Sequence, residues 1–115
     1  MPDAEVVVQA HVEAYKGRDA ERFADCYADD ARALGPDGSV VAVGRAAVRQ
    51  FYSKLFEQSP ELHMRIAARI VVGDFVIDEE HASGLVFEGM PSQLHAAGVY
   101  RVVEGKSRKL GTTVA

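Results

Sequence analysis

At Ser59-Pro60 the hydrophobic repeat of this chain changes from a helical period to a strand period, and no other feature constrains the fold as much. The proline pushes the residue before it out of the helical region, so a helix stops there. From Glu61 onward apolar residues recur at every second position, the repeat of a sheet. The pattern predicts four strands, at about 61–72, 75–87, 92–103 and 106–114. Gly73-Asp74 is a two-residue hairpin signal, and a hairpin fixes register. Val72 then faces Phe75, Ile70 faces Ile77, Ile66 faces His81 and Met64 faces Ser83. With residues 88–91 as a four-residue loop, Phe87 pairs with Ser92, His81 falls opposite Gly98, and Glu79 falls opposite Tyr100.

This register sorts the side chains onto two faces. Leu62, Met64, Ile66, Ala68, Ile70, Phe75, Ile77, Leu85, Phe87, Leu94, Ala96, Tyr100 and Val102 share one face, which other elements must cover. Glu79, His81, Ser83 and Gly98 fall on that same face. Polar groups beside small residues on an apolar surface point to a cavity. Arg65, Arg69, Val71, Val76, Asp78, Val86, His95, Val99, Arg101 and Val103 fall on the other face. Its mixture of valine and charge is expected at a homodimer interface. A β-bulge in any of these strands inverts part of the assignment.

The cover lies upstream. Asp3 caps a first helix with Val8, His11, Val12 and Tyr15 on one stripe, ended by Gly17. Asp19 caps a second, with Ala20, Phe23, Ala24 and Tyr27 in line. Residues 31–34 and 40–43 read as short strands around a turn at Gly35-Pro36-Asp37-Gly38. A third helix, at about 45–58, buries Val48, Phe51, Tyr52 and Leu55. The fold class is therefore α+β, with a curved, mostly antiparallel sheet wrapped around three N-terminal helices.

A length of 115 residues fits one domain, residues 1–115. The net charge of −4 and the absence of a basic run exclude the electrostatic footprint of a nucleic-acid binder. A single cysteine, Cys26, rules out an internal disulfide and a thiolate metal cluster. No apolar run approaches membrane-spanning length, and the first residues, Met-Pro-Asp-Ala-Glu, lack a basic leader region. The expectation is a cytoplasmic protein without a membrane partner. The four histidines lack ligand spacing such as HxxxH, so neither a metal nor a cofactor is expected.

Several residues carry a resemblance to the nuclear transport factor 2-like superfamily, and within it to SnoaL-like and ketosteroid-isomerase-like proteins. They are Arg18-Asp19, Tyr27-Ala28-Asp29-Asp30-Ala31, Gly44-Arg45 with Phe51-Tyr52, Val72-Gly73-Asp74, and Tyr100-Arg101-Val102 before Glu104-Gly105-Lys106. The resemblance implies a cone with an apolar pocket and a homodimer through the outer sheet face. It also implies which isomerase groups are missing. Those enzymes use a carboxylate base, a tyrosine and a neutral carboxylic acid. The matching positions here are Gly35, His11 and Gly98, so steroid isomerisation is not expected. Tyr27 and Tyr52 match supporting tyrosines of that site.

The functional expectation is a pocket for a small apolar molecule. Proton-transfer chemistry such as isomerisation, dehydration or hydrolysis would use His11 and His81 as acid and base, with Tyr52 beside them. Tyr15, Tyr27, Ser83, Phe87, Gly98 and Tyr100 are expected to bind the ligand. The alternative is a non-catalytic binding or dimerisation module in which the two histidines are satisfied core groups.

Overall fold

The computed structural model describes residues 3–34, 39–87 and 91–114, with 108–114 described by backbone alone. The chain is α+β. Helices α1 (Ala4–Lys16), α2 (Ala20–Asp25) and α3 (Arg45–Gln58) pack on a curved antiparallel sheet. Its strands, β3 (His63–Val72), β4 (Phe75–Ser83), β5 (Gln93–Val103) and β6 (Lys106–Val114), lie in sequence order. Strands β1 (Arg32–Leu34) and β2 (Val40–Val43) form a separate ribbon. The turn expected at 35–38 lies outside the described residues, as do 88–90 of the expected four-residue loop.

The helices begin where their caps dictate. The carboxylates of Asp3 and Asp19 accept the amides of Val6 and Arg22, each at 3.0 Å, satisfying donors that a first turn leaves open. The apolar stripes are buried as their spacing requires: Val8, His11 and Val12 from α1, Phe23, Ala24 and Tyr27 around α2, and Val48, Tyr52 and Leu55 from α3. Helix α1 lies across all four strands of the main sheet.

The sheet departs from the expected faces in two places. The first is a bulge in β3. Val72 faces Phe75 and Ile70 faces Ile77 as expected, but the register slips between Ile66 and Ala68. Beyond the slip Ile66 faces Glu80 and Met64 faces Ala82, not His81 and Ser83. One extra residue turns every following side chain over. Met64 stays buried, while Ala68, Ile70, Phe75 and Ile77 turn outward and are exposed. Arg69, Val76 and Asp78, expected outside, turn inward, and Val71 shares their face. Asp78 is fully buried, and the Arg69 guanidinium closes on its carboxylate with two bonds of 2.6 and 2.9 Å. A third guanidinium bond, of 2.8 Å to Gln9 Oε1, ties the pair to α1. Arg69 thus meets both oxygens of a carboxylate that has no access to water, the arrangement a buried charge pair requires.

The second departure is the end of β4. The strand stops at Ser83, four residues earlier than its hydrophobicity suggests. Gly84 has φ +74°, and a Cβ there would come within 2.1 Å of the Glu61 carbonyl oxygen, so only glycine fits. The chain leaves the sheet at that point and crosses to the end of α3. There the Ser59 hydroxyl accepts the Val86 amide at 2.9 Å and donates to the Val86 carbonyl at 3.2 Å. The longer connection moves β5 by three residues. His81 faces His95 instead of Gly98, Glu79 faces Ala97 instead of Tyr100, and Gly98 faces Asp78.

Candidate functional site

Between the helices and the inner sheet face lies a cavity of about 80 Å³. Its lining draws His11, Val12 and Tyr15 from α1, Phe23 from α2, Leu34 from β1, and Tyr52 and Leu55 from α3. The strands supply Met64, Glu80, Ala82, Leu94 and Tyr100, and Leu85 follows β4. The wall is largely apolar, and five of its side chains carry rings: His11, Tyr15, Phe23, Tyr52 and Tyr100. Phe23 and Tyr52 meet at 4.4 Å between ring centroids, Tyr15 and Tyr52 at 6.2 Å, and His11 and Tyr100 at 5.8 Å. These separations are those of ordinary edge and tilted ring pairs, so the rings brace one another around the space.

One carboxylate reaches the cavity, that of Glu80. The bulge aims it inward by giving β4 the opposite parity to the one expected. The Tyr100 hydroxyl donates to Glu80 Oε2 at 3.2 Å. Gly98, its neighbour on β5, leaves room for the head group: a Cβ at Gly98 would lie 2.8 Å from Oε2. The space that Gly98 opens is therefore filled by the Glu80 carboxylate.

Burial, reinforced by the Glu80 charge, pushes the hydroxyls of Tyr15, Tyr27 and Tyr100 well above the usual tyrosine range. Burial is also the main cause for Tyr52, followed by Tyr27, Tyr15 and Glu80. A phenolate would be poorly solvated there and would face another negative charge. All four phenols keep their protons at neutral pH.

His11 is 1% exposed and its Nε2 is paired with the Ser107 hydroxyl. Ser107 in turn donates to the Cys26 carbonyl at 3.2 Å. The Ser107 hydroxyl thus sits between the His11 ring and the Cys26 carbonyl and holds the imidazole in place. The Tyr27 ring packs edge-on against His11 at 4.4 Å, and its hydroxyl has no hydrogen-bond partner among the described residues.

The residues singled out in the sequence divide into two groups. His11, Tyr15, Tyr52 and Tyr100 line the cavity, and Gly98 stands beside its carboxylate. Tyr27 lies behind His11, and Phe87 rests on Phe51 at 5.3 Å, outside the lining. His81 and Ser83 lie on the outer face, in a shallow depression with His63 and His95. His11 and His81 are on opposite sides of the sheet, so they cannot act across one cavity. Glu80 was hidden because Glu79 held the inward position in the expected register. The small pair Ala67-Ala68 beside the bulge is the only local trace of the slip, and it is a weak one.

Comparison with known proteins follows the same lines. Residues 8–109 match the family model of the SnoaL-like domain. No curated protein matches the chain. Among solved structures, an uncharacterised cystatin-fold protein from Novosphingobium aromaticivorans superposes with a TM-score of 0.82 at 22% identity, covering 100% of this chain and 99% of that one. A protein with a ketosteroid isomerase-like fold from Catenulispora acidiphila, in complex with trimethylamine, gives 0.73 at 17% identity, covering 95% and 83%. An LEH-like epoxide hydrolase from M. tuberculosis gives 0.74 at 17% identity, covering 97% and 82%. At these identities the likeness is one of fold.

Proposed function

The chain belongs to the SnoaL-like domain family, and from that premise we propose that its cavity binds a small, largely apolar molecule on which Glu80 acts as a proton acceptor. The observation that carries this reading is the Glu80 carboxylate facing a largely apolar cavity, 3.2 Å from the Tyr100 hydroxyl. A carboxylate placed within reach of a bound molecule can take a proton from it as a general base. Tyr15 and Tyr52 supply phenolic hydroxyls from the same wall to hold an oxyanion as it develops. Glu80 thereby takes the part that sequence reasoning gave to His81, and His11 becomes an oriented wall residue fixed by Ser107. A cavity of about 80 Å³ restricts the ligand to a few heavy atoms, since drug-sized ligands occupy roughly 300 Å³ or more.

The test is proton exchange at a small ketone. Butan-2-one in deuterated buffer should exchange its α-protons in proportion to protein concentration, followed by NMR. Replacement of Glu80 by Gln should remove the protein-dependent part, a loss on the order of 10²-fold or more for a general base. Equal exchange by wild type and Glu80→Gln would refute proton abstraction by this group.

A second reading is favoured by the same wall. Aromatic rings around one carboxylate form a cage suited to a small ammonium ion. The C. acidiphila protein was crystallised with such a molecule, trimethylamine. Titration with trimethylammonium and with neutral tert-butanol separates the two readings. Binding of the cation alone, lost in Glu80→Gln, supports the non-catalytic cage. The exposed outer residues Ile70, Val72, Phe75 and Ile77 further support a homodimer through that face.

A further inference from the structure

On the sheet face opposite the cavity, we propose that Glu79, His81 and His95 form a binding site for a divalent transition metal of the zinc type. Glu79 and His81 are two residues apart on β4 and therefore point the same way. His95 sits directly across from His81 on β5. The two imidazoles are stacked, with centroids 4.2 Å apart and planes 11° from parallel. Both Nε2 atoms turn toward one oxygen: Glu79 Oε2 lies 2.7 Å from that of His95 and 3.6 Å from that of His81. One donor atom from each residue lies within 4.8 Å of the other two.

This donor set has a definite preference. Two imidazole nitrogens and one carboxylate oxygen suit zinc and its neighbours, and leave an open position for water. Bonds of about 2.0–2.1 Å place two donors on a tetrahedral ion roughly 3.3 Å apart. The observed separations bracket that spacing, so small rotations of three side chains would close the site. The central strand pair β4–β5 holds the Cα positions while the side chains adjust.

One group opposes a cation. Arg65 on β3 is the other cross-strand neighbour of His81 and shares the depression. Its side chain is long and exposed and can swing toward water. Its charge nevertheless weakens the site, and its removal should tighten it.

The experiment is calorimetric titration of zinc chloride into chelator-treated protein in a non-coordinating buffer. One zinc per chain is expected in wild type and in Glu80→Gln, because Glu80 belongs to the other face. His81→Ala and His95→Ala should each weaken binding by more than the ~10–100-fold that loss of an outer-sphere partner costs, with the circular dichroism spectrum unchanged. Arg65→Ala should bind more tightly than wild type. No binding by wild type, or binding undiminished in both histidine variants, would overturn the proposal. Glu79→Gln gives an independent check: undiminished affinity in that variant would remove the carboxylate from the site and defeat the assignment.

Discussion

Replacement of Gly98 by Ala tests the cavity at its most sensitive point. The new Cβ would lie 2.8 Å from Glu80 Oε2, and 3.2 Å from both Glu80 Cδ and Tyr100 Cε2. Carbon–oxygen contacts settle near ~3.5 Å, so the carboxylate must retreat by roughly 0.7 Å. The atom in the way is the end of a flexible side chain, and the Gly98 backbone is not in the left-handed region, so the strand itself need not move. The Tyr100–Glu80 bond is already long at 3.2 Å and would not survive the shift. Losing a hydrogen bond to a charged group costs about 1.5–3 kcal/mol, while replacing a strand glycine returns roughly 0.5–1 kcal/mol. The net loss of about 0.5–2.5 kcal/mol should lower Tm by roughly 2–10 °C in a domain of this size. Function should suffer more, since a misplacement of about 1 Å can cost on the order of 10² in rate. The assay needs no substrate: carbon-13 labelling of tyrosine rings reports the Tyr100 phenol directly. The Tyr100 resonance should move in Gly98→Ala toward its position in Glu80→Gln, and ketone exchange should fall with it. An unchanged Tyr100 resonance would show that the carboxylate does not occupy this space, and an unfolded variant would show that the obstructing group cannot retreat.

Two further outcomes follow from residues already described. All four tyrosines have raised pKa values in the folded state, so above about pH 10 the unfolded chain releases phenolic protons that the folded chain keeps. Stability should be unaffected by these groups below pH 10 and fall above it, and tyrosinate absorbance should rise together with loss of circular dichroism; simple titration near pH 10 in folded protein would contradict the burial. Sedimentation at micromolar concentration should give twice the chain mass, and Phe75→Asp should give a folded monomer; a wild-type monomer would refute the outer-face dimer.

The helices were legible because their signals are local. Asp3, Asp19 and Gly17 fix ends, and the 3.6 repeat identifies which side of each helix is buried. Tyr52 and His11 could be placed inward on that basis alone. The strands were legible as strands, but their facing depends on counting, and counting fails silently. The bulge near Ala67 inverted β4, exchanging Glu80 for Glu79 and hiding the buried Arg69–Asp78 pair. The early exit at Gly84 then moved β5 by three, an odd number. Two odd errors cancel, which is why Leu94, Ala96, Gly98, Tyr100 and Val102 were placed inward correctly from a register that was wrong. Only the close approach of Gly84 to Glu61, twenty-three residues earlier in the chain, reveals where β4 ends.

The early exit of β4 also divides the chain into parts of unequal freedom to change length. Within β3 and β4 the insertion or loss of one residue would exchange the two sides of the sheet, trading Glu80 for Glu79 in the cavity. The described residues after Gly84 are held by the Ser59–Val86 and Leu85–Ser92 bonds and belong to no strand until Gln93, so residues can be added to this connection without changing the parity of β4. Changes of length are therefore tolerated in that connection, while the count of residues from the bulge to Ser83 stays fixed.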